Sequence, residues 1–133
     1  YFTESSRYEE TLSRFLEHLS FIRALGASFI NVCECGHAIQ GTDLPILSSY
    51  KPVFSQEQWC DLIQGLHVLG RIANEFNVRL VYHYHAGTGV YSLPEIDYLM
   101  EHSSPQLLSL LLDTGHAVFA GIDPLELIHK YQE

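Results

Sequence analysis

The segment Val78-Arg-Leu-Val-Tyr-His-Tyr-His85 decides the fold class that we expect for this chain. It predicts a β-strand that ends in the turn sequence Gly87-Thr-Gly89. Residues 28–34 predict another strand, which is short, rich in β-formers and mostly apolar on both faces, and residues 107–113 predict a third. Strands that are apolar on both faces are typical of a parallel sheet covered by helices.

Helical patterns separate the predicted strands. The first helix is expected to stop at Gly26, and its apolar stripe is Leu12, Phe15, Leu16, Leu19, Ile22 and Leu25. The other helices are expected over residues 55–76, 92–100 and 123–133. Asp123-Pro124 is typical of a helix start. Capping boxes are predicted for Ser6 with Glu9, Ser55 with Gln58 and Ser92 with Glu95.

The alternation of helix and strand predicts an α/β fold with a parallel sheet. Three strands cannot close a barrel, and both ends of the sequence fall on predicted helices. We therefore interpret residues 1–133 as a single α/β unit that is part of a larger fold. Exposed strand edges of such a unit would favour pairing between copies, so a homo-oligomer is a further expectation.

Composition narrows the classes of partner. The chain has 133 residues and a formal net charge of -9, with 47% hydrophobic residues. A charge of this sign disfavours a nucleic-acid partner, and neither a membrane span nor a signal segment is predicted. The three cysteines, Cys33, Cys35 and Cys60, are too few and odd in number for a disulfide framework. A reducing, cytoplasmic location is the expectation.

Polar residues follow each predicted strand. Because the carboxyl ends of parallel strands meet at one rim, where active sites are built, these side chains are expected to converge. The residues concerned are Glu34, His83, His85, Asp113 and His116.

A divalent metal is the favoured interpretation of this rim. His83 and His85 are two residues apart on a strand and point to the same face, and imidazoles beside a carboxylate suit zinc, manganese or cobalt. Asp113 ends an apolar run, which is costly unless the carboxylate is paired or metal-bound. The alternatives are hydrogen-bonded core histidines and an Asp113 that caps its turn. His116 would orient Asp113 or reach a substrate oxygen, and Glu34 would be a ligand, a base or an ion-pair partner.

A long polar segment, residues 35–54, follows the first strand. Loops of this length inside a compact domain tend to be functional, so Gln40 and Gly41 are predicted to contact a ligand. The sequence Gly87-Thr-Gly89 lacks the spacing of a phosphate-binding loop, and we interpret it as a tight turn beside the site.

Five motifs together resemble the inosose dehydratase branch of the xylose isomerase-like TIM barrels, within the sugar phosphate isomerase/epimerase superfamily. They are Tyr82-His-Tyr-His-Ala-Gly-Thr88, Asp113-Thr-Gly-His116, Ala120-Gly-Ile-Asp-Pro124, Val32-Cys-Glu34 and Ile39-Gln-Gly41. The similarity runs from about residue 28 to the end of the chain.

The resemblance implies a (β/α)₈ barrel of which this chain is the central portion, about strands four to six. Such barrels hold one divalent metal at the carboxyl rim through four residues on successive strands. His83 stands at the first position, where many relatives have Glu, so His83 and His85 compete for that role. Asp113 matches the second position, and the other two would lie beyond Glu133. His116 matches a residue that contacts substrate or an extra metal.

The implied reaction is dehydration of 2-keto-myo-inositol (scyllo-inosose) in myo-inositol catabolism, by metal-stabilised enolate formation and loss of water, with manganese, cobalt or zinc as cofactor. Glu34 and His116 are the predicted catalytic residues. The predicted substrate contacts are Gln40, Gly41, His85 and His116, and the predicted metal ligands are His83, His85 and Asp113.

Three alternatives are weighed against this reaction. A sugar isomerase or epimerase on the same scaffold would use the same enolate chemistry. An apurinic-site endonuclease is opposed by the net charge of -9. An inactive piece of such an enzyme is the third, and we expect the full-length parent to be the enzyme and the 133-residue chain alone to have little activity.

Overall fold

The computed structural model describes residues 1–47 and 49–132. A short 3₁₀ turn, Ser5–Arg7, precedes the first α-helix. In chain order the elements are α1 (Tyr8–Ala24), β1 (Phe29–Val32), α2 (Gln56–Glu75), β2 (Arg79–Tyr82), α3 (Leu93–Glu101), β3 (Ser109–Leu110), α4 (Thr114–Phe119) and α5 (Pro124–Tyr131). Within this described part of the chain, no helix is long and apolar enough to cross a bilayer.

The sheet confirms the predicted α/β class. Its strands lie in the order β1-β2-β3, and both pairings are parallel. Val32 pairs with Tyr82, and Tyr82 pairs with Leu110. The paired segments are shorter than the three predicted strands, because a strand is hydrogen-bonded only along the part that has a neighbouring strand beside it. Hydrogen bonds continue past β2, however, since the amide of His83 donates to the carbonyl oxygen of Val32 at 2.8 Å.

The core lies between one face of the sheet and the helices. Ile30, Leu80 and Leu108 project from the three strand segments into this layer and are at most 1% exposed. The apolar stripe of α2 covers them, through Leu62, Leu66, Leu69 and Ala73. The opposite face of the sheet is open, and Phe29 on β1 is 65% exposed there. The strands were expected to be buried on both faces of the sheet. This is correct for the face beneath the helices and wrong for the open face.

The predicted helix starts are confirmed at α2, α3 and α5. Ser55 and Gln58 exchange hydrogen bonds between side chain and backbone at α2, and Glu95 accepts from the amide of Ser92 at 2.8 Å. Asp123 accepts from the amide of Leu125 at 2.9 Å.

The box predicted for Ser6 and Glu9 at α1 is wrong. Residues 5–7 form the 3₁₀ turn, and Arg7 takes the N-cap position of α1. The guanidinium of Arg7 donates to the carboxylate of Glu10 at 3.1 Å. An ion pair on the first helical turn therefore stands where the serine cap was predicted.

Candidate metal and substrate site

At the end of β2, two tyrosines point to one side of the chain and two histidines to the other. Tyr82 and Tyr84 are fully buried in the layer beneath the helices, whereas His83 and His85 alternate with them and are half-buried on the other side. This is the alternation of an extended chain. It presents two imidazole rings at the rim of the sheet, with centroids 5.5 Å apart.

Asp113 begins α4, a short helix that the sequence pattern did not predict. Its Oδ1 accepts from the amide of His116 at 2.8 Å, which makes Asp113 the N-cap. Its Oδ2 lies 3.1 Å from Nε2 of His83. The amide of His116, and secondly the ring of His83, hold the pKa of the Asp113 carboxyl below its usual range. The capping role and the pairing role that the sequence left open thus coexist on one carboxylate.

Three side chains come close enough to hold one cation. His83, Asp113 and His116 each offer one ligand atom, and these atoms all lie within 4.8 Å of one another. Burial, and then the ring of His85, lowers the pKa of His116, so the neutral, lone-pair-bearing form that a metal needs is favoured. Two imidazoles and a carboxylate fit zinc, manganese or cobalt.

The grouping differs from the predicted one in one ligand. The sequence predicted His83, His85 and Asp113, whereas the atoms that come together include His116 in place of His85. The ring centroids of His85 and His116 are 3.9 Å apart, so His85 lies beside the group. The cause is α4, which brings His116 back over the end of β2.

The long loop reaches the site through Gln40. Its side-chain amide donates to the carbonyl oxygen of Ala86 at 2.8 Å and contacts Nδ1 of His85. The amide of Ile39 donates to the carbonyl oxygen of Gly87 at 3.0 Å, which fastens the loop to the turn after β2. Gly41 is exposed, and a Cβ there would meet open space, so the structure does not bring it to the histidines.

A cleft of about 410 Å³ opens over His85 and His116. It is lined by Ile46, His85, Ala86, Asp113, Gly115, His116 and Phe119. This volume lies within the range of small-molecule sites. Ile46 brings an apolar side chain from the long loop, and the polar groups come from the ends of the β2 and β3 segments.

Glu34 does not converge with the other rim residues, which corrects that expectation. It is 2% exposed, and its carboxylate accepts from the amides of Phe2 and Gly36, both at 2.7 Å. The hydroxyl of Thr3 donates to it at 3.2 Å. Within the described residues it is outside the group of potential metal ligands. This geometry suits a structural carboxylate that joins the start of the chain to the loop after β1.

Tyr84 is a site residue that the sequence reasoning missed. Its hydroxyl donates to the carbonyl oxygen of Asp113 at 2.6 Å and accepts from the amide of Asp113 at 3.2 Å. A tyrosine on the buried side of a strand needs a hydrogen-bond partner for its hydroxyl. This requirement is the signal in the sequence that could have identified Tyr84. Its partner lies 29 residues further along the chain.

The fold and the site together define a class: a part of a parallel (β/α) barrel with a candidate metal centre at the carboxyl rim of its strands. The chain belongs to the xylose isomerase-like TIM barrel family, whose family model matches residues 2–132. The predicted resemblance and fold class are therefore confirmed.

Two curated relatives of this chain are named inosose dehydratase. The inosose dehydratase of Bacillus cereus is 47% identical over 131 residues, which is 98% of this chain and 44% of the relative. The inosose dehydratase of Clostridium tetani is 46% identical over the same length and share. The chain thus spans less than half the length of these relatives.

A solved structure supports the fold independently. A sugar phosphate isomerase/epimerase from Parabacteroides distasonis superimposes with a TM-score of 0.67, at 14% sequence identity. The match covers 97% of this chain and 44% of that one. At this identity the likeness concerns the fold alone.

Proposed function

We propose that this chain carries part of the active site of a dehydratase that removes water from 2-keto-myo-inositol in myo-inositol catabolism. The observation that supports it most is the group of His83, Asp113 and His116, in a chain 47% identical to an inosose dehydratase over 131 residues. Because the chain spans 44% of that relative, the activity belongs to the longer protein. The 133-residue chain alone is expected to turn over little substrate.

Manganese, cobalt or zinc would be held by His83, Asp113 and His116. When bound, such a cation would polarise the ketone oxygen and so make the neighbouring carbon more acidic. Asp113 supplies the anionic ligand, and its hydrogen bond from the amide of His116 fixes the carboxylate on α4. The turn at Asp113 thereby keeps the carboxylate oriented towards His83.

Dehydration also needs two proton transfers, one from the carbon beside the ketone and one to the departing hydroxyl. His85 lines the cleft and lies outside the proposed ligand group, so it is the imidazole placed to take part. Glu34 is buried and bonded to residues 2, 3 and 36, so this geometry favours His85 over the predicted Glu34. A cyclitol ketone is the proposed substrate, since its hydroxyl groups can hydrogen-bond to the polar side chains of the cleft and its ring carbons can contact the apolar ones.

The test combines metal analysis with turnover of 2-keto-myo-inositol by the longer protein. Stoichiometric metal and a product lighter by one water are expected, and Asp113→Ala is expected to lose both. Asp123→Ala is the matched control, because it also removes an N-cap carboxylate, at α5, but lies outside the cleft lining. Isomerisation of the ketone with no loss of water would instead support the isomerase or epimerase alternative. An active protein without metal would contradict the proposed centre.

A further inference from the structure

The side chains that line the cleft over His85 and His116 are of two chemical kinds. His85, Asp113 and His116 contribute nitrogen and oxygen atoms, whereas Ile46 and Phe119 contribute only carbon. Neither apolar side chain can donate or accept a hydrogen bond. A hydroxyl group that a ligand turned towards either of them would give up water without gaining a partner, which is unfavourable.

Ile46 is turned inwards, unlike its neighbours in the long loop. Among the described residues between positions 41 and 50, Ile46 alone is half-buried and the others are exposed. Leu44 and Leu47 have side chains of similar size, and they are 41% and 56% exposed. The loop thus gives the cleft one of the several apolar side chains that it carries.

Gly87 provides the space in which Ile46 lies. A Cβ at position 87 would be 2.4 Å from Cδ1 of Ile46, so Ile46 packs where any other residue at position 87 would place its side chain. The hydroxyl of Thr42 holds the preceding turn, since it donates to the carbonyl oxygen of Ile39 at 2.7 Å and accepts from the amide of Leu44 at 3.2 Å. Ile46 is therefore a fixed part of the cleft wall.

The ring of 2-keto-myo-inositol can place a wholly apolar surface against such a wall. Its hydroxyl groups are all equatorial and point outwards around the edge of the ring, so each face of the ring carries only axial C–H bonds. We propose that Ile46 determines the ring stereochemistry that the cleft accepts, by contacting a C–H face of an all-equatorial cyclitol and excluding a cyclitol with an axial hydroxyl on that face. This inference rests on the proposed function, which supplies the cyclitol ring as the ligand.

Two cyclitols that lack the ketone isolate ring recognition from the reaction. The first, scyllo-inositol, has no axial hydroxyl. The second, chiro-inositol, has one on each face, so turning the ring over cannot move it away from Ile46. In isothermal titration of the longer protein, scyllo-inositol is expected to bind about tenfold more tightly, as for one hydroxyl left without a hydrogen-bond partner. Equal affinities, or no binding of either compound, would overturn the proposal.

Substitutions at position 46 test whether Ile46 causes this preference. Ile46→Ala lets water reach an axial hydroxyl, and Ile46→Thr keeps the branched shape but offers that hydroxyl a partner. Both are expected to reduce the preference to about twofold or less. The ratio of the two affinities is the readout, because a loop that merely lost its structure would weaken the binding of both compounds alike. A ratio unchanged in both variants would refute the role of Ile46.

Leu47→Ala is the matched control for these substitutions. It also shortens an apolar side chain of the long loop, but Leu47 is exposed and is not among the residues that line the cleft. The preference for scyllo-inositol should therefore stay about tenfold. A loss of preference equal to that of Ile46→Ala would show that the loop acts as a whole and would overturn the assignment to Ile46.

Turnover separates this inference from the proposed function. A preference for scyllo-inositol that depends on Ile46, in a protein that does not dehydrate 2-keto-myo-inositol, would uphold the role of Ile46 and refute the proposed function. Dehydration of 2-keto-myo-inositol by a protein that binds both cyclitols equally would uphold the proposed function and refute the role of Ile46.

Discussion

Tyr84 holds both backbone polar groups of Asp113. Its buried hydroxyl donates to the Asp113 carbonyl oxygen and accepts from the Asp113 amide, so the end of β2 is tied to the residue that caps α4. Burial is the largest cause of the raised pKa of Tyr84. The phenol therefore keeps the proton that it donates. The position of the only carboxylate in the described ligand group depends on this link.

Tyr84→Phe is expected to lower the free energy of unfolding by about 1–2 kcal/mol, because two backbone groups lose their partner. Metal affinity should also fall, since the turn at Asp113 is then less firmly held. Urea denaturation measures the first effect and isothermal titration with Mn²⁺ or Zn²⁺ the second.

Tyr91→Phe is the matched control for this change. The Tyr91 hydroxyl is also buried, but it has no hydrogen-bond partner among the described residues. Its removal is expected to leave stability unchanged or slightly higher. An equal loss of stability in both variants would show that the link from Tyr84 to Asp113 contributes nothing specific.

Two substitutions at Asp113 separate its two roles. Asp113→Asn keeps a good N-cap and should change stability by less than about 0.5 kcal/mol, whereas Asp113→Ala removes the cap at a cost of about 0.5–2 kcal/mol. Both remove the anionic oxygen and are expected to abolish stoichiometric metal binding. Elemental analysis and thermal unfolding give the two readouts. Full metal content in Asp113→Asn would exclude the carboxylate as a ligand.

Cys35 is expected to react with iodoacetamide near neutral pH. The neighbouring Cys33 thiol lowers the pKa of Cys35 to about 7, against an opposing effect of burial. Because the thiolate is the nucleophile, labelling should be rapid above that pH and slow as the pH falls below it. Mass spectrometry of Cys60→Ser protein over a pH series gives the midpoint.

Cys33→Ala is the control for the thiol pair. The Cys33 pKa is itself raised, chiefly by the neighbouring Cys35 thiol and by burial, so Cys33 should stay unlabelled at neutral pH. Removal of its thiol should move the Cys35 midpoint upwards. A midpoint that does not move would mean that another group lowers the pKa of Cys35.

Gly87→Ala is expected to disturb the long loop. Gly87 has a φ of +81°, and a Cβ there would lie 2.4 Å from Cδ1 of Ile46. Backbone strain of about 1–2 kcal/mol therefore adds to a clash with the loop. Lower stability and a raised KM are expected, measured by urea denaturation and steady-state kinetics.

Gly41→Ala provides the comparison for Gly87. Its φ of +78° imposes similar strain, but nothing lies within 4 Å of the added Cβ. It should lose stability without the further cost of the clash, and its effect on KM should be smaller. If the two variants behave alike, the packing of Ile46 on Gly87 is not what holds the loop.

Much of the framework could be predicted because it depends on local pattern. The alternation of residues 78–85 predicted the strand and the shared side of His83 and His85. The starts of α2, α3 and α5 followed from capping residues within three positions of each other. The start of α1 was missed because an ion pair between Arg7 and Glu10 is as local as a serine cap and cannot be ranked against it from spacing alone.

The sequence by itself therefore determined the kinds of element, the parallel sheet and the rim on which His83 and Asp113 lie, since periodicity and strand ends are properties of neighbouring residues. Tertiary structure decided the direction of Glu34, the entry of His116 into the ligand group and the partners of Tyr84 and His85. These outcomes depend on contacts such as those of His83 with Asp113 and of Gln40 with His85, which join residues 30 and 45 positions apart. Contacts at such separations form only when the βα units pack together, because packing fixes which side chain each buried polar group can reach.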